Sequence, residues 1–508
     1  MAASTCRLVL TISCSVFFVL TAIVLIRTFT LSVRIDNVQI CDSKDEDFVE
    51  ATDEIIQRFK KALRFKTVSK EKGIYDRDEL LKMQNFIISA FPAVHSSPLV
   101  EFEVVNNYSL FYFVKGTNET LTPYMLASHL DVVPAEPEKW EVPPFSADIK
   151  DGFIYGRGAI DDKHGVMAIL ETMEFLLKRG FQPQRSFYVG FGHDEEVAGT
   201  DGAAAIAERL TQKGVRRLEF LSDEGLCVLD GIVPGMKTTT SMIGTSEKGQ
   251  VILRLRVKGS ASHSSMPPRE SSIGILARAV HRLETVGHPS MFGHGPEKDM
   301  FEHLASQMYF PHRMIMSNLW LFTPVVSWML SRKPSSNAVL RTVTSVTQFQ
   351  AGIKDNVMPP EAVAIVNHRI HPAQTVQEVI DYDRKLINDD RVQIEVKYSQ
   401  ESLPLSPYGP DDFGYQVIKN SIRQVWKDTI VAPGVMIGNT DTRHYINLTN
   451  NIYRFSPTYM YPEDLARFHG DNERISVKNY EQAINFFYHL IQNADKPGLQ
   501  LSHSHSEL

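Results

Sequence analysis

The sequence predicts an α/β fold in which helices cover a mostly parallel sheet, with a second, α+β domain inserted into it. Between Tyr124 and Ser222, runs typical of strands alternate with runs typical of helices, an order that builds parallel sheets. Near Lys248 the pattern changes, because Gln250–Lys258 alternates apolar and mostly polar residues, as expected for a strand with one face in water. The first pattern returns after His371, so we expect the inserted domain to end there.

Each element of this prediction rests on its own local pattern. Apolar residues at helical spacing predict two amphipathic helices ahead of the sheet. Runs rich in β-branched and aromatic residues predict strands, and Gly180 is a stop signal for one helix. The predicted helices are Asp47–Phe65, Asp76–Phe91, Lys163–Arg179, Thr200–Lys213, Ile273–Val286 and Asn479–Gln492. The predicted strands are Leu99–Val105, Ser109–Val114, Tyr124–Ser128, Ser186–Gly192, Leu218–Ser222, Gln250–Lys258, Ala338–Phe349, Ala362–Ile370, Val435–Gly438 and Ile452–Ser456.

The composition is that of a globular protein with a large core. Of the 508 residues, 43% are hydrophobic and 22% are charged, which excludes a mainly disordered chain. Lys and Arg number 53 against 60 Asp and Glu, a net charge of −7, and no basic run is present. This balance argues against nucleic acid as a partner. Four cysteines in a chain of this length exclude a disulfide scaffold.

The N-terminus carries an uncharged apolar segment, Leu8–Ile26, which predicts entry into the secretory pathway. A signal sequence needs an apolar run of only about 7–15 residues, whereas a membrane span needs about 17–25. Arg27 and Arg34 offset Arg7, so the charges leave open a secreted protein and a type II membrane-anchored one. Exposure to the lumen is also indicated by three glycosylation sequons, at Asn107, Asn118 and Asn447.

Acidic and imidazole side chains follow three successive predicted strands. These are His129-Leu-Asp131, His193-Asp-Glu-Glu196 and Asp223-Glu224-Gly225, and a glycine-rich turn with Asp161 and Asp162 lies between the first two. Each motif alone is more often a surface pair, a helix start or a turn. In an open α/β sheet, however, ligands bind beyond the carboxyl ends of the strands. Gathered carboxylates repel each other and need a cation, and a set of His and carboxylate ligands suits zinc.

The order of these motifs resembles the aminoacylase/carboxypeptidase family of two-zinc metallopeptidases. The resemblance covers roughly Asp47 to Gln492 and rests on His-x-Asp, Gly-Arg-Gly-Ala-x-Asp-x-Lys, Glu-Glu, Asp-Glu-Gly and a late His. It implies two Zn²⁺ per chain, one held by His129, Asp161 and Asp223, the other by Asp161, Glu196 and His469. Asp161 is preferred to Asp162 because it fits the motif spacing, whereas members of the family use either acid at Asp223 and Glu224.

The same resemblance implies catalytic and substrate-binding roles. Glu195 would be the general base, and Asp131 would orient His129. In the inserted domain, His263 would donate a hydrogen bond to the oxyanion, although alone it would be a surface histidine. Arg443 would bind the substrate's carboxylate through its planar guanidinium, and Asn356 and Arg369 match further family positions.

The resemblance also divides the chain into functional segments. The expected division is a signal or anchor segment at 1–34, a catalytic domain at 35–247 and 371–495, a lid domain at 248–370 and a polar tail at 496–508. Lids in this family often pair, so the resemblance allows a homodimer through the lid, although the sequence does not give the oligomeric state.

The apolar stretch Met314–Ser331 bears on the substrate. It would ordinarily be packed core, but it could instead form an apolar groove or a membrane-facing patch for a long acyl chain. We therefore predict amide hydrolysis of N-fatty-acyl amino acids, and the reverse condensation, with a lipid or lipoprotein surface as a further partner. A carboxypeptidase or dipeptidase and a short-chain aminoacylase would share every ligand, whereas a metal-free binding protein would lack one.

Overall fold

The structure is a computed structural model that describes residues 2–32 and 48–498. Within these residues the chain forms two compact units. The inserted unit comprises the N-terminal helix, Ser246–Leu405 and Val435–Asn439, and the large unit comprises the remaining described residues. Most of the predicted polar tail, from residue 499 onward, lies outside the described residues.

Helices occur along the whole length of the described residues. In chain order they are α1 (Ala2–Thr30), α2 (Asp53–Arg64), α3 (Arg77–Ala90), α4 (Pro92–Ser96), α5 (Lys163–Lys178), α6 (Ala203–Gln212), α7 (Ser272–Val286), α8 (Glu297–Ala305), α9 (His312–Met316), α10 (Leu319–Leu330), α11 (Pro334–Leu340), α12 (Val376–Ile387), α13 (Phe413–Val425) and α14 (Val477–Ala494). Every predicted helix is present, with ends that differ by a few residues.

Strands lie between these helices. In chain order they are β1 (Ser69–Glu71), β2 (Ile74–Tyr75), β3 (Val100–Val105), β4 (Ser109–Val114), β5 (Tyr124–His129), β6 (Ile149–Lys150), β7 (Phe153–Tyr155), β8 (Phe187–Gly192), β9 (Leu221–Leu229), β10 (Thr240–Glu247), β11 (Gly249–Lys258), β12 (Ser262–His263), β13 (Val343–Ala351), β14 (Val357–Met358), β15 (Glu361–Ile370), β16 (Val392–Gln400), β17 (Ile430–Met436), β18 (Ile452–Met460) and β19 (Arg474–Ser476). The strand predicted from Ala338 is wrong at its start, because α11 occupies residues up to Leu340.

The large unit is built on an eight-stranded sheet with the order β17-β10-β18-β9-β5-β8-β4-β3. Its four central strands, β18, β9, β5 and β8, are parallel, while β4 and β3 are antiparallel to their neighbours. The predicted α/β class is confirmed, although the sheet is mixed and its parallel part is central. Because the central strands are parallel, their carboxyl ends lie at the same edge.

Helices cover both faces of this sheet. Residues of α5 and α14 pack on one face, together with the inward side chains Tyr124 and Leu126 of β5. On the opposite face, α6 packs against Met125 of β5 and Tyr188 of β8. Side chains of a strand alternate between faces, so apolar residues at successive positions of β5 are buried on both sides.

The inserted unit contains a four-stranded antiparallel sheet with the order β13-β15-β11-β16. One face of β11 presents Val251, Leu253, Leu255 and Val257 to a buried core, to which α7 and α12 contribute. This alternation is the pattern that the sequence showed. The predicted boundary at residue 370 differs from the structure, because α12 and β16 belong to this unit and the chain leaves it at Leu405.

The N-terminal helix α1 belongs to the inserted unit. Its segment Val9–Thr30 is long and apolar enough to cross a membrane and is mostly exposed. At its C-terminal end, the Arg313 guanidinium donates to the carbonyl of Thr28 (2.9 Å), and the Asn318 amide donates to the hydroxyl of Thr28 (3.1 Å). These polar contacts hold the end of α1 against α9 and the start of α10.

Candidate active site

The site lies at the carboxyl edge of the parallel strands in the large unit. His129 is the last residue of β5 and pairs in register with Gly192, the last residue of β8. On the other side of β5, Leu126 pairs with Ser222 of β9, which brings Glu224 alongside the end of β5. The topology therefore gathers side chains that are far apart in sequence, as the strand-end argument predicted.

Three of these side chains form a first group of possible metal ligands. Its members are His129, Asp161 and Glu224, whose ligand atoms lie within 4.8 Å of one another. The Nε2 atom of His129 is 3.1 Å from Oδ1 of Asp161 and 3.5 Å from Oε1 of Glu224. A single cation could contact all three atoms.

A second group consists of Asp161, Glu196 and His469. The Nε2 atom of His469 is 3.0 Å from Oδ2 of Asp161 and 3.1 Å from Oε2 of Glu196. Asp161 thus presents Oδ1 to one group and Oδ2 to the other. This arrangement suits a carboxylate that bridges two cations, with one oxygen for each.

In each of the two pairs of adjacent acids, the structure brings only one member into a group of possible ligands. Glu224, not the predicted Asp223, joins His129, and Oδ1 of Asp223 instead accepts a hydrogen bond from the backbone N–H of Glu224 (2.9 Å). Neighbouring residues of a strand point to opposite faces, so only one of them can reach the group. Of the other pair, Asp162 accepts a hydrogen bond from the hydroxyl of Ser128 and is outside both groups.

Negative charge is concentrated at this edge. Burial raises the pKa of Glu224 well above its ordinary value, and Asp161 nearby adds to the rise. Burial would also raise the pKa of Asp161, but hydrogen bonds from His129 and His469 hold it below its usual range. Hydrogen bonds to Asp161 and Glu196 raise the pKa of His469 to about 10. In the absence of a metal ion, these raised pKa values favour protonation of the clustered side chains. A bound metal ion could replace those protons.

Glu195 lies beside these groups and belongs to neither. Its side chain is buried, and burial together with Glu224 and Asp441 raises its pKa well above the ordinary value. The guanidinium of Arg443 is 3.6 Å from its carboxylate, and Arg443 also donates to the carbonyl of Thr440 (2.8 Å). Because Glu195 is in neither ligand group, its carboxylate can take up and release a proton without giving up a bond to a metal ion.

Asp131 has a broader role than the sequence predicted. Its backbone carbonyl lies 3.0 Å from Nδ1 of His129, and its Oδ1 atom lies 3.4 Å from the same nitrogen. Its carboxylate also accepts hydrogen bonds from the backbone N–H groups of Glu195 (3.0 Å) and Glu196 (3.3 Å). Asp131 therefore positions both His129 and the Glu195–Glu196 turn.

A buried ion pair that the sequence analysis missed connects two loops of the site. Glu473 accepts from Arg157 (2.7 Å) and from the backbone N–H groups of Gly158 and Ile160. Arg157 in turn donates to the carbonyl of Gly470 (3.0 Å). Since Asp161 follows Ile160 and His469 precedes Gly470, the pair fixes the loops that carry two candidate ligands. In the sequence, the available signal was an acid, Glu473, four residues after the late His.

The remaining predicted residues lie in the inserted unit, except Arg443. His263 ends β12, which pairs with β14, and the backbone N–H of Ser264 donates to the carbonyl of Asn356 (3.1 Å), so these two predicted residues are neighbours. Nδ1 of His263, an exposed residue, is 2.7 Å from the Ser265 hydroxyl. Arg369 lies on β15 and donates to the side chain of Asn439.

The three sequon asparagines differ in their surroundings. Asn107 and Asn447 are exposed. Asn118 is half-buried, and its Oδ1 atom accepts from the backbone N–H (3.0 Å) and the hydroxyl of Thr120. Asn107 and Asn447 are therefore the more accessible of the three, and glycosylation stays a prediction.

The comparisons agree with this geometry. Residues 125–493 match peptidase family M20/M25/M40, and the chain belongs to this family of metallopeptidases and related amidohydrolases. It is 49% identical over 486 residues to "N-fatty-acyl-amino acid synthase/hydrolase PM20D1" of Xenopus tropicalis, covering 96% of this chain and 94% of the relative. It is 45% identical over 450 residues to the Homo sapiens protein of the same name, covering 88% and 89%.

Solved structures show the same fold. An M20 family metallo-carboxypeptidase from Sulfolobus solfataricus has a TM-score of 0.64 at 16% identity, over 87% of this chain and all of the other. A Bacillus subtilis protein described as a dinuclear metal-binding peptidase of family M20 has a TM-score of 0.52 at 13% identity, over 87% and 98%. The family of this chain therefore includes dinuclear metal-binding members, and the two groups around Asp161 could hold two ions.

Proposed function

We propose that this chain hydrolyses N-fatty-acyl amino acids to a fatty acid and an amino acid, and catalyses the reverse condensation, with two zinc ions bound. The observation that carries this proposal is the pair of ligand groups that share Asp161, one oxygen for each group. The substrate class follows from the names of the relatives that are 45–49% identical to this chain over about nine-tenths of its length.

The donor set fits zinc. Each group offers one imidazole nitrogen and two carboxylate oxygens, which are ligands of catalytic zinc sites. His129, Asp161 and Glu224 would hold one ion, and Asp161, Glu196 and His469 the other. Bound zinc would polarise the amide carbonyl and lower the pKa of water.

The protein's own residues would move the proton. Glu195 would take a proton from the attacking water, whose oxygen forms a bond to the carbonyl carbon of the amide. As the C–N bond breaks, Glu195 would deliver that proton to the leaving amine. The raised pKa of Glu195 supports this exchange, because a carboxylate with a higher pKa takes a proton from water more readily, and its acid form can still protonate the more basic amine. Condensation follows the same steps in reverse.

Binding of the amino-acid head group is assigned to Arg443. Its guanidinium lies near the Glu195 carboxylate, so a substrate carboxylate there would place the amide close to the base. A guanidinium binds a carboxylate through paired hydrogen bonds. The roles expected for His263, Asn356 and Arg369 stay predictions.

The acyl chain and the compartment involve the inserted unit. Its helix α10 exposes Trp320, Val325 and Trp328, which supports an apolar surface for acyl chains or a lipid or lipoprotein surface rather than packed core. The apolar helix α1 fits a signal sequence, and its exposed length is compatible with an anchor. We propose a secretory-pathway protein; secretion, glycosylation and a homodimer through the inserted unit stay predictions.

Chain-length dependence tests the substrate. The purified chain should be assayed on one amino acid acylated with groups from acetyl to oleoyl. Because each buried methylene is worth about 0.8 kcal/mol, kcat/KM should rise steeply with chain length until the surface is filled. Higher activity on N-acetyl amino acids or on free dipeptides would instead favour a peptidase like the relative named "Probable carboxypeptidase S-like 2", to which the chain is 44% identical.

A further inference from the structure

A second histidine–carboxylate cluster lies in the inserted unit. Its members are His288, His368 and Asp383, and their exposed fractions are 2%, 0% and 0%. They come from three separate parts of the unit: the loop after α7, strand β15 and helix α12. We call these three residues the inserted-unit cluster. The reaction proposed above uses none of them.

The spacing of the cluster fits a metal ion. The Asp383 carboxylate places Oδ1 3.2 Å from Nε2 of His288 and Oδ2 2.8 Å from Nε2 of His368. One ligand atom from each residue lies within 4.8 Å of the other two. Zinc–ligand bonds of about 2.0–2.1 Å at tetrahedral angles separate neighbouring ligand atoms by roughly 3.3 Å. The 3.2 Å distance from Asp383 to His288 is close to this value, whereas the 2.8 Å distance to His368 is shorter.

Hydrogen bonding explains only half of this arrangement. His288 has hydrogen-bond geometry to Asp383, whereas Nε2 of His368 lies 2.8 Å from Oδ2 of Asp383 but is not aligned with it as a hydrogen-bond donor. On the far side of its ring, Nδ1 of His368 lies 3.1 Å from the Thr344 hydroxyl. If Nδ1 donates its proton to Thr344, the lone pair of Nε2 faces the carboxylate. Two such lone pairs repel unless both bind the same proton or the same metal ion.

The charge of the cluster points the same way. Asp383 is completely buried, and its ion pairs within residues 48–498 are those with His288 and His368. No Lys or Arg of the described chain forms an ion pair with it. If both imidazoles are neutral, the buried carboxylate has no positive partner, which is very unfavourable, and a metal ion would supply that charge.

We propose that the inserted-unit cluster binds one zinc ion, held by His288, His368 and Asp383, which connects β15, α12 and the loop after α7. The Thr344 hydroxyl would fix the tautomer of His368, as outer partners of metal-bound histidines do. Since the three ligands are buried, substrate could not reach the ion, and the ion would stabilise the fold. This proposal does not depend on the activity proposed for the large unit.

Zinc-edge anomalous diffraction from crystals of the wild-type chain, grown with zinc, tests the proposal directly. We expect a peak within bonding distance of all three ligand atoms, separate from any peak at Asp161. A map with peaks at Asp161 and none at the cluster would overturn the proposal and leave the proposed reaction intact. Peaks at the cluster and none at Asp161 would support this proposal and contradict the two zinc ions of the proposed function.

A variant gives a second, independent result. His368→Gln keeps an amide near Asp383 that can form hydrogen bonds, but glutamine is a poor zinc ligand. We expect the folded variant to contain one zinc fewer per chain than wild type, with kcat/KM changed less than twofold. An unchanged zinc content in the variant would show that the cluster is held by shared protons and would overturn the proposal.

Discussion

The two histidine–carboxylate clusters of this chain differ in charge and in access to solvent. The cluster around Asp161 combines two imidazoles with three carboxylates, and the side chain of His469 is 56% exposed. The inserted-unit cluster combines two imidazoles with one carboxylate, and all three members are closed off. Substrate must reach a catalytic metal ion, whereas a fully buried ion can only support the fold. The comparison therefore assigns chemistry to the first cluster and stabilisation to the second.

Removal of the proposed base should have the largest effect on turnover. Glu195→Gln keeps the size of the side chain but cannot accept the proton of water, so we expect kcat to fall about 10²–10⁴-fold. Zinc content should stay at the wild-type level, because Glu195 is in neither ligand group. Steady-state kinetics and elemental analysis check both parts. Normal turnover in this variant would remove Glu195 as the base.

The ion pair beneath the first cluster should have the next largest effect. Glu473→Gln removes the charge that holds Arg157, so the loops that carry Asp161 and His469 should loosen. Loss of such outer partners costs about 10–100-fold in metal affinity, and we expect that loss in zinc titrations, with activity restored by excess zinc.

Glu171→Gln is the matched control for this variant. It breaks another buried ion pair of the large unit, between Glu171 and Arg58, that does not touch the ligand loops. We expect its zinc affinity to equal that of wild type. Equal losses in the two variants would mean that Glu473 acts only through the stability of the large unit.

A substitution on α10 should have the smallest effect. Trp328 is 59% exposed, and Trp328→Ser removes part of the proposed acyl-chain surface. Loss of about 1 kcal/mol of apolar contact would lower kcat/KM for an N-oleoyl substrate about fivefold, with little change for an N-acetyl one. Phe349→Ser, on β13 of the same unit, is the control, since Phe349 is also exposed. An equal loss on both substrates, or in both variants, would contradict this surface.

The sequence predicted the cluster around Asp161 better than the inserted-unit cluster, for a physical reason. Strand ends in a parallel sheet share one edge, so His129 and Glu196 could be placed together from local patterns alone. The choice between Asp223 and Glu224 needed the twist and register of β9, which local patterns do not contain. The ligands of the inserted-unit cluster come from a loop, a strand and a helix, and no sequence rule brings those together.

The boundaries of the inserted unit also could not be predicted from local sequence patterns. The alternation of β11 was evident because Val251 and its partners are buried while the opposite side chains are more exposed. β16 lies at the edge of the same sheet and is mostly exposed, so its pattern gave no indication that it belonged there. The predicted boundary at residue 370 therefore came too early. Pairing across a sheet is decided by contacts between distant residues.

The central claim is that Asp161 bridges two zinc ions in the large unit. Its neighbour Asp162 is buried and belongs to neither ligand group, and so provides a control at the adjacent position. The most direct measurement is the zinc content per chain of Asp161→Asn and Asp162→Asn beside wild type. We expect Asp161→Asn to lose two zinc ions and Asp162→Asn to lose none. Wild-type zinc content in Asp161→Asn would contradict the claim.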